Sequence, residues 1–178
     1  MGLRTISKQE LDKIIENHKK WLQSNGEEGE RADLRYANLS YADLSSADVS
    51  SANLSSANLS SANLRSANLR SANLRSANLS YADLSSANLS SANLRYANLR
   101  YADLDFSAFP LWCGGLDVHI DDKQATQLLY HFVKNVQYSK NTSAKLKRIC
   151  KIKSLVKQAN DFHRVNECGK IEITEKGK

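Results

Sequence analysis

Between residues 32 and 106 the large apolar positions recur every fifth residue, fifteen times, with no insertion or deletion. The centres are Leu34, Leu39, Leu44, Val49, Leu54, Leu59, Leu64, Leu69, Leu74, Leu79, Leu84, Leu89, Leu94, Leu99 and Leu104. An alanine stands two positions before each, an asparagine or aspartate directly before it, and two mostly polar residues after it. Phe109 continues the register as a sixteenth centre. A repeat of this regularity takes precedence over local propensity.

A period of five fits neither ordinary element. On a helix at about 100° per residue, successive leucines would step roughly 140° and scatter around the whole surface. On a flat strand they would alternate between faces. One geometry keeps every leucine inside. Alanine and leucine, two apart, point inward from a short extended segment, and the chain bends before the next unit. A bend in every unit winds the chain into a solenoid whose coils pair backbone to backbone. Asn or Asp before each leucine suits an outer surface that must also turn.

The flanks change period. Ser7 with Glu10 is a capping-box signature. Leu11, Ile14, Ile15, His18, Trp21 and Leu22 then form one helical stripe, ended by Asn25-Gly26. This helix is expected to cover the first coil, and His18 within the stripe reads as a packed histidine rather than a ligand. After Leu104 the pattern decays. Pro110 marks where pairing should stop, Phe106, Phe109, Leu111 and Trp112 plug the last coil, and Gly114-Gly115 makes a hinge. Asp121 or Asp122 caps a helix running to about Tyr138, with Ala125, Leu128, Leu129, Phe132, Val133 and Val136 on its apolar face. A turn at Asn141–Ser143 leads to a second helix from about Ala144 to His163, with Leu146, Ile149, Cys150, Ile152, Val156 and Ala159 on its apolar arc.

Composition adds three bounds. The chain has 178 residues and three cysteines, Cys113, Cys150 and Cys168, an odd number that favours a reduced, cytoplasmic setting. No secretion signal and no membrane span are expected. The net charge of +6 is uneven: −1 for residues 1–30, +1 for 31–106 and +6 for 107–178.

The repeat resembles the bacterial pentapeptide-repeat family over its whole length. The segments Asn17–Leu22, Gly29–Leu34, Phe109–Gly114 and Phe162–Gly169 look like a prophage-associated subgroup of it. The resemblance implies a mainly β fold, a right-handed quadrilateral β-helix with twenty residues per coil. Sixteen centres then make about four coils, roughly 19 Å tall at the strand-pairing spacing. The expected organisation is an N-terminal capping helix and linker (1–30), the β-helix (31–111), and a C-terminal helical hairpin with a basic tail (112–178).

At twenty residues per coil, outward side chains stack in columns: Arg35, Arg75 and Arg95 with Ser55; Tyr41, Tyr81 and Tyr101 with Ser61; Asp43, Asp83 and Asp103 with Asn63. These could present Arg and Tyr to a polyanion or partner, although mixed charges favour a merely solvated surface. Cys113, His131, His163 and Cys168 are two Cys and two His of the kind zinc accepts, but their spacing is irregular and no Cys-x-x-Cys pair exists. No metal or other cofactor is expected. Lys140, Lys145, Lys147, Arg148, Lys151, Lys153 and Lys157 form a basic cluster that fits a solvated helix face. A leucine-filled axis has no room for a substrate, and no oxyanion-hole, phosphate-loop or carboxylate-pair motif appears.

The resemblance also raises mimicry of B-form DNA by acidic towers that bind DNA gyrase. Duplex DNA would carry about eleven charges over such a height. The near-neutral repeat disfavours that role. The sequence therefore points to a non-catalytic scaffold for an unknown protein partner. A gyrase- or nucleic-acid-associated factor is the alternative, and an enzyme or metal-binding protein using the C-terminal Cys and His ranks third.

Overall fold

The computed structural model describes residues 2–110, 118–138, 142–151, 153–161 and 170. These fall into two compact units, Met1–Ile120 and Asp121–Lys178.

In the first unit, bridges join residues twenty apart, all parallel: Asp33 with Asn53, Asn53 with Asn73, Asn73 with Asn93, and so on around the repeat. Units of five in a register of twenty give four faces. Face 1 carries the centres Leu34, Leu54, Leu74 and Leu94. Face 2 carries Leu39, Leu59, Leu79 and Leu99, face 3 Leu44, Leu64, Leu84 and Leu104, and face 4 Val49, Leu69, Leu89 and Phe109. All but Phe109 are buried, and Phe109 is half-buried against the same core. Corner n is the residue pair that follows face n.

One unit shows why the five-residue motif is what it is, because each of its N–H groups has a partner. Ala62 N–H donates to Leu59 O (3.1 Å), closing the corner as an i to i+3 turn. Asn63 N–H donates down to Ala42 O (2.9 Å), and Leu64 N–H donates up to Asp83 O (2.7 Å). Ser66 N–H donates up to Ser85 O (2.9 Å). Arg65 N–H has no ladder partner and is taken by the Asn63 side chain, whose Oδ1 accepts it at 3.1 Å. That fifth bond requires a short side-chain acceptor two residues back, which is the reason for Asn or Asp in every unit. Asparagine does a second thing. Its Nδ2 donates to the Oδ1 one coil below, as in the series Asn98, Asn78, Asn58, Asn38 at 3.2 Å each.

The second residue of every corner, from Tyr36 to Phe106, has φ between 56° and 63°. A type II turn demands this conformation at that place, and it is normally filled by glycine or asparagine. Here serine, tyrosine and one phenylalanine occupy it.

The N-terminal segment fits the repeat at its base. Strand β1 (Arg4–Thr5) pairs in parallel with β2 (Ala37–Asn38), which sets Ile6 beneath Leu39, half-buried against the core. Helix α1 (Lys8–Gln23) follows with the expected capping box: Glu10 N–H donates to Ser7 Oγ, and Ser7 N–H donates to the Glu10 carboxylate at 2.8 Å. Asn25 takes a left-handed φ of 55°, and Gly26 N–H donates back to Trp21 O at 2.8 Å, a Schellman-type ending. Leu11, Ile14 and Ile15 join the core of the repeat.

Two expectations at the other end need correction. Phe106 does not plug the last coil: it is the second residue of corner 3, and its side chain is 69% exposed. Nor does pairing end at Pro110. His119 N–H donates to Ala97 O and Leu99 N–H to His119 O, so one more rung lies over face 2, offset by a single extra residue, with Val118 and Ile120 packed on the core. Leu111, Trp112, Gly114 and Gly115 lie outside the described residues.

In the second unit, α2 (Asp122–Tyr138) is capped by Asp121, whose carboxylate accepts Gln124 N–H while the Gln124 side chain accepts Asp121 N–H. Ser143 caps the next helix. The expected single helix from Ala144 is two, α3 (Ala144–Ile149) and α4 (Lys153–Asn160), with Cys150 and Lys151 in a turn between them. Gln137 of α2 explains the break: its Nε2 donates to Cys150 O at 2.7 Å and occupies the carbonyl that a continuing helix would use. The buried face also differs. Tyr130, Val133, Val136, Cys150, Val156 and Ala159 form the core, whereas Ala125, Phe132 and Ile149 are exposed.

Candidate interaction surface

The axis of the first unit is filled by leucine and alanine at close to zero exposure, so only its outside is open to a partner. The columns expected on that outside are real neighbours. Tyr81 and Tyr101 stack with centroids 4.8 Å apart and rings 19° from parallel. The guanidinium groups of Arg75 and Arg95 lie 5.2 and 5.3 Å from the Tyr96 ring centroid, one coil apart on corner 1. Arg95 also donates to the Tyr96 hydroxyl at 3.2 Å. Arg35 is committed lower down, in a 2.6 Å ion pair with Asp33 whose hydrogen bonds hold the Asp33 carboxyl below the usual range. The acidic column stands on face 3, where Asp83 and Asp103 are direct bridge partners.

His18 is a structural histidine. Ala32 N–H donates to its Nδ1 (3.1 Å), and its Nε2 lies 3.0 Å from Ser50 O. With Nδ1 accepting, the proton sits on Nε2 and the ring is neutral. Burial pushes its pKa down, opposed by the Ser50 carbonyl and Asp48. The ring stacks on Trp21 with centroids 5.5 Å apart.

Of the four residues weighed as zinc ligands, only His131 is described. It is exposed, with its ring edge-on to Tyr130. Cys113, His163 and Cys168 lie outside the described residues, as does Lys140 of the basic cluster. Cys150 is a buried free thiol whose pKa burial raises, the opposite of an activated nucleophile. Lys145, Arg148, Lys151, Lys153 and Lys157 are exposed on α3, α4 and the turn between them, and Lys147 is half-buried. No described helix is long and apolar enough to cross a membrane.

The family model described as "Pentapeptide repeats (8 copies)" matches residues 29–50, 52–90 and 72–107. A solved pentapeptide repeat protein, alr5209 from Nostoc PCC 7120, is 34% identical over 60% of this chain and 93% of its own length, with a TM-score of 0.28. The chain belongs to the pentapeptide repeat family, and the parallel twenty-residue register of its repeat makes a β-helix. It is also similar to Rfr23 from the cyanobacterium Cyanothece 51142, at 41% identity over 51% of this chain and TM-score 0.45. HetL from Nostoc sp. strain PCC 7120, a protein involved in heterocyst differentiation regulation, is 43% identical over 49% of this chain, with TM-score 0.43. The chain spans 58% of the length of Rfr23 and 38% of that of HetL. No curated protein matches.

Proposed function

We propose that this protein is a non-catalytic scaffold that presents a rigid surface to a protein partner in the cytoplasm. In this reading residues 31–111 form a right-handed quadrilateral tower of about four coils. Residues 1–30 cover one end of it, and residues 112–178 form a separate C-terminal segment of helices with a basic tail. The observation that carries it is the filled axis: leucine after leucine is fully buried, so the repeat offers outward side chains and no interior site. Rigidity supports the same use. A backbone whose N–H groups are bonded within and between coils holds its outer columns at fixed spacing, which lowers the ordering cost of binding.

The test is affinity capture from a native host, followed by reconstitution with each candidate purified alone. A single protein that binds stoichiometrically supports the scaffold. Turnover of a small molecule, dependent on a residue of this chain, would replace it with an enzyme. Stoichiometric zinc in the purified protein would instead direct attention to Cys113, His131, His163 and Cys168.

A further inference from the structure

The ladder of the first unit has a lower edge, and its faces meet that edge differently. Asn63 shows which groups point there: its N–H donates down to Ala42 O, and its carbonyl accepts Leu44 N–H from below. The same register aims the N–H and C=O of Asp33, Asn38, Asp43 and Asp48 beneath the first coil, where no further coil follows. On face 2 the strand β1 takes them, and on face 1 the Arg4 guanidinium donates to Asp33 O at 2.8 Å. On face 3 no described residue bonds the Asp43 N–H or C=O. Side-chain exposure agrees. Ala32 and Ala37, on faces 1 and 2, are 2% and 0% exposed, whereas Ala42 on face 3 is only half-buried.

Between this open edge and the start of α1 lies a groove of about 370 Å³. Ile6, Leu11, Leu39 and Ala42 line it with apolar surface, and Tyr41, 80% exposed, stands beside it. We propose that the groove is a strand-addition site, and that its occupant is an extended basic segment of a partner protein. This deepens the scaffold reading and rests on it. Backbone chemistry selects a peptide. A free N–H and a free C=O on one edge residue match the C=O and N–H of residues two apart in an added strand, as Ala42 and Leu44 do for Asn63. Charge selects the sign. Asp12 and Asp43 line the groove, and Lys8 is the one cation among the described residues there. Above Asp43 the same face carries Asp83 and Asp103, against Arg65 on corner 3. Carboxylates attract Lys or Arg side chains and repel a phosphate backbone, however open the Tyr41 ring is. The extended part of one unit, Ala-x-Leu, is three residues and about 10 Å long. A segment with alanine and leucine two apart, and basic residues around them, repeats that pattern.

The experiment uses the full chain and follows its backbone amides by NMR. The main probe is the end-blocked peptide Lys-Ala-Lys-Leu-Lys. It is compared with the same peptide N-methylated at leucine, the same peptide with Glu for Lys, and an oligothymidylate. The variant D12N/D43N removes the two carboxylates, and asparagine holds the place of Asp43 in other units. The control E27Q/E28Q removes two charges beyond the other end of α1. Circular dichroism verifies folding. The basic peptide is expected to shift the Asp43 amide and slow its hydrogen exchange. N-methylation removes the N–H meant for Asp43 O and is expected to weaken binding at least about tenfold, or 1.4 kcal/mol. D12N/D43N is expected to weaken it at least about fivefold, or 1 kcal/mol, and the control less than about twofold, or 0.4 kcal/mol.

The proposal is overturned if the basic peptide leaves the Asp43 amide unmoved, or if the N-methylated or acidic peptide binds as tightly. Equal weakening by D12N/D43N and the control, or displacement of the peptide by oligothymidylate, overturns it too. So does a concentration-dependent shift at Asp43 without any peptide, which would make a second copy of the chain the occupant. The captured partner separates the two levels. A protein that binds wild type and D12N/D43N alike leaves the scaffold standing and removes the groove. Absence of any protein partner removes the scaffold itself, whatever the peptide does.

Discussion

At each corner a side chain with a Cβ adopts a conformation that glycine would take more easily, which costs roughly 1–2 kcal/mol per residue. No β-branched residue occupies any of the fifteen positions. Ser66, with φ of 57°, therefore makes a local test. Ser66→Val is expected to lower stability by about 1–3 kcal/mol, while Ser66→Gly leaves it unchanged or raised. Equal thermal midpoints for the two variants would show that the corner carries no strain. The centres obey a different rule. Leu69 is fully buried, so Leu69→Ala should cost about 2–5 kcal/mol and Leu69→Asp should prevent folding. A soluble Leu69→Asp variant with an unchanged midpoint would contradict its place on the axis. His18 supplies a pH test. Its folded pKa lies below the value of about 6.5 in the unfolded chain, so the unfolded state binds the proton first as pH falls. The stabilisation is complete above that value, is lost as pH falls through the lowered folded pKa, and then levels off. His18→Ala should flatten this limb. Near neutral pH it should also remove about 1–3 kcal/mol, because Ala32 N–H and Ser50 O lose their partner. Urea melts of both proteins across pH 5 to 8 measure the difference, and parallel curves would exclude His18 as the source.

At the scale of elements, α1 is joined to the first coil by a link that admits little variation. Gly29 has φ of 71°, and a Cβ there would stand 2.2 Å from Asn17 O and 2.8 Å from Trp21 N. Gly29→Ala should destabilise by more than about 1 kcal/mol, since both the conformation and the space are wrong. A thermal midpoint equal to wild type would mean the link does not pass over the helix. Deleting residues 1–26 removes β1, Ile6 and the Leu11, Ile14, Ile15 contacts, and leaves an apolar base with open ladder groups. Aggregation is the expected result by size-exclusion chromatography with light scattering. If the truncated protein keeps the intact oligomeric state and β-type circular dichroism, α1 is not a cap. Much of α1 was legible in the sequence because a capping box and a helical stripe are local. The break between α3 and α4 was not, because the donor that captures Cys150 O comes from Gln137, thirteen residues away on another helix.

For the whole molecule, arrangement of charge matters more than its sum. Over the height of the repeat, duplex DNA carries about eleven negative charges. The acidic side here has Asp43, Asp83, Asp103 and Asp105, of which Asp105 is buried. The purified protein is therefore expected not to inhibit gyrase supercoiling at concentrations where an acidic tower does. Stoichiometric, salt-sensitive inhibition would overturn this.

The sequence by itself determined the inward leucines and alanines, the bend in every unit and the capped start of α1. These depend on neighbours within a few residues, repeated until only one winding keeps the apolar set out of water. The requirement for Asn or Asp was half legible: the turn follows from the residue type, but the orphan N–H that it satisfies appears only once the ladder is counted. Tertiary structure alone decided what lies outside the period. Val118 and Ile120 return to the core across one extra residue, Phe106 faces solvent, and His18 replaces the missing turn before Ala32. It also decided which columns adjoin. Arg95 and Tyr101 are six residues apart along the chain, yet they flank the same amide ladder with Arg75 and Tyr81 from the coil below. A register of twenty brings them there, and composition cannot record that neighbourhood.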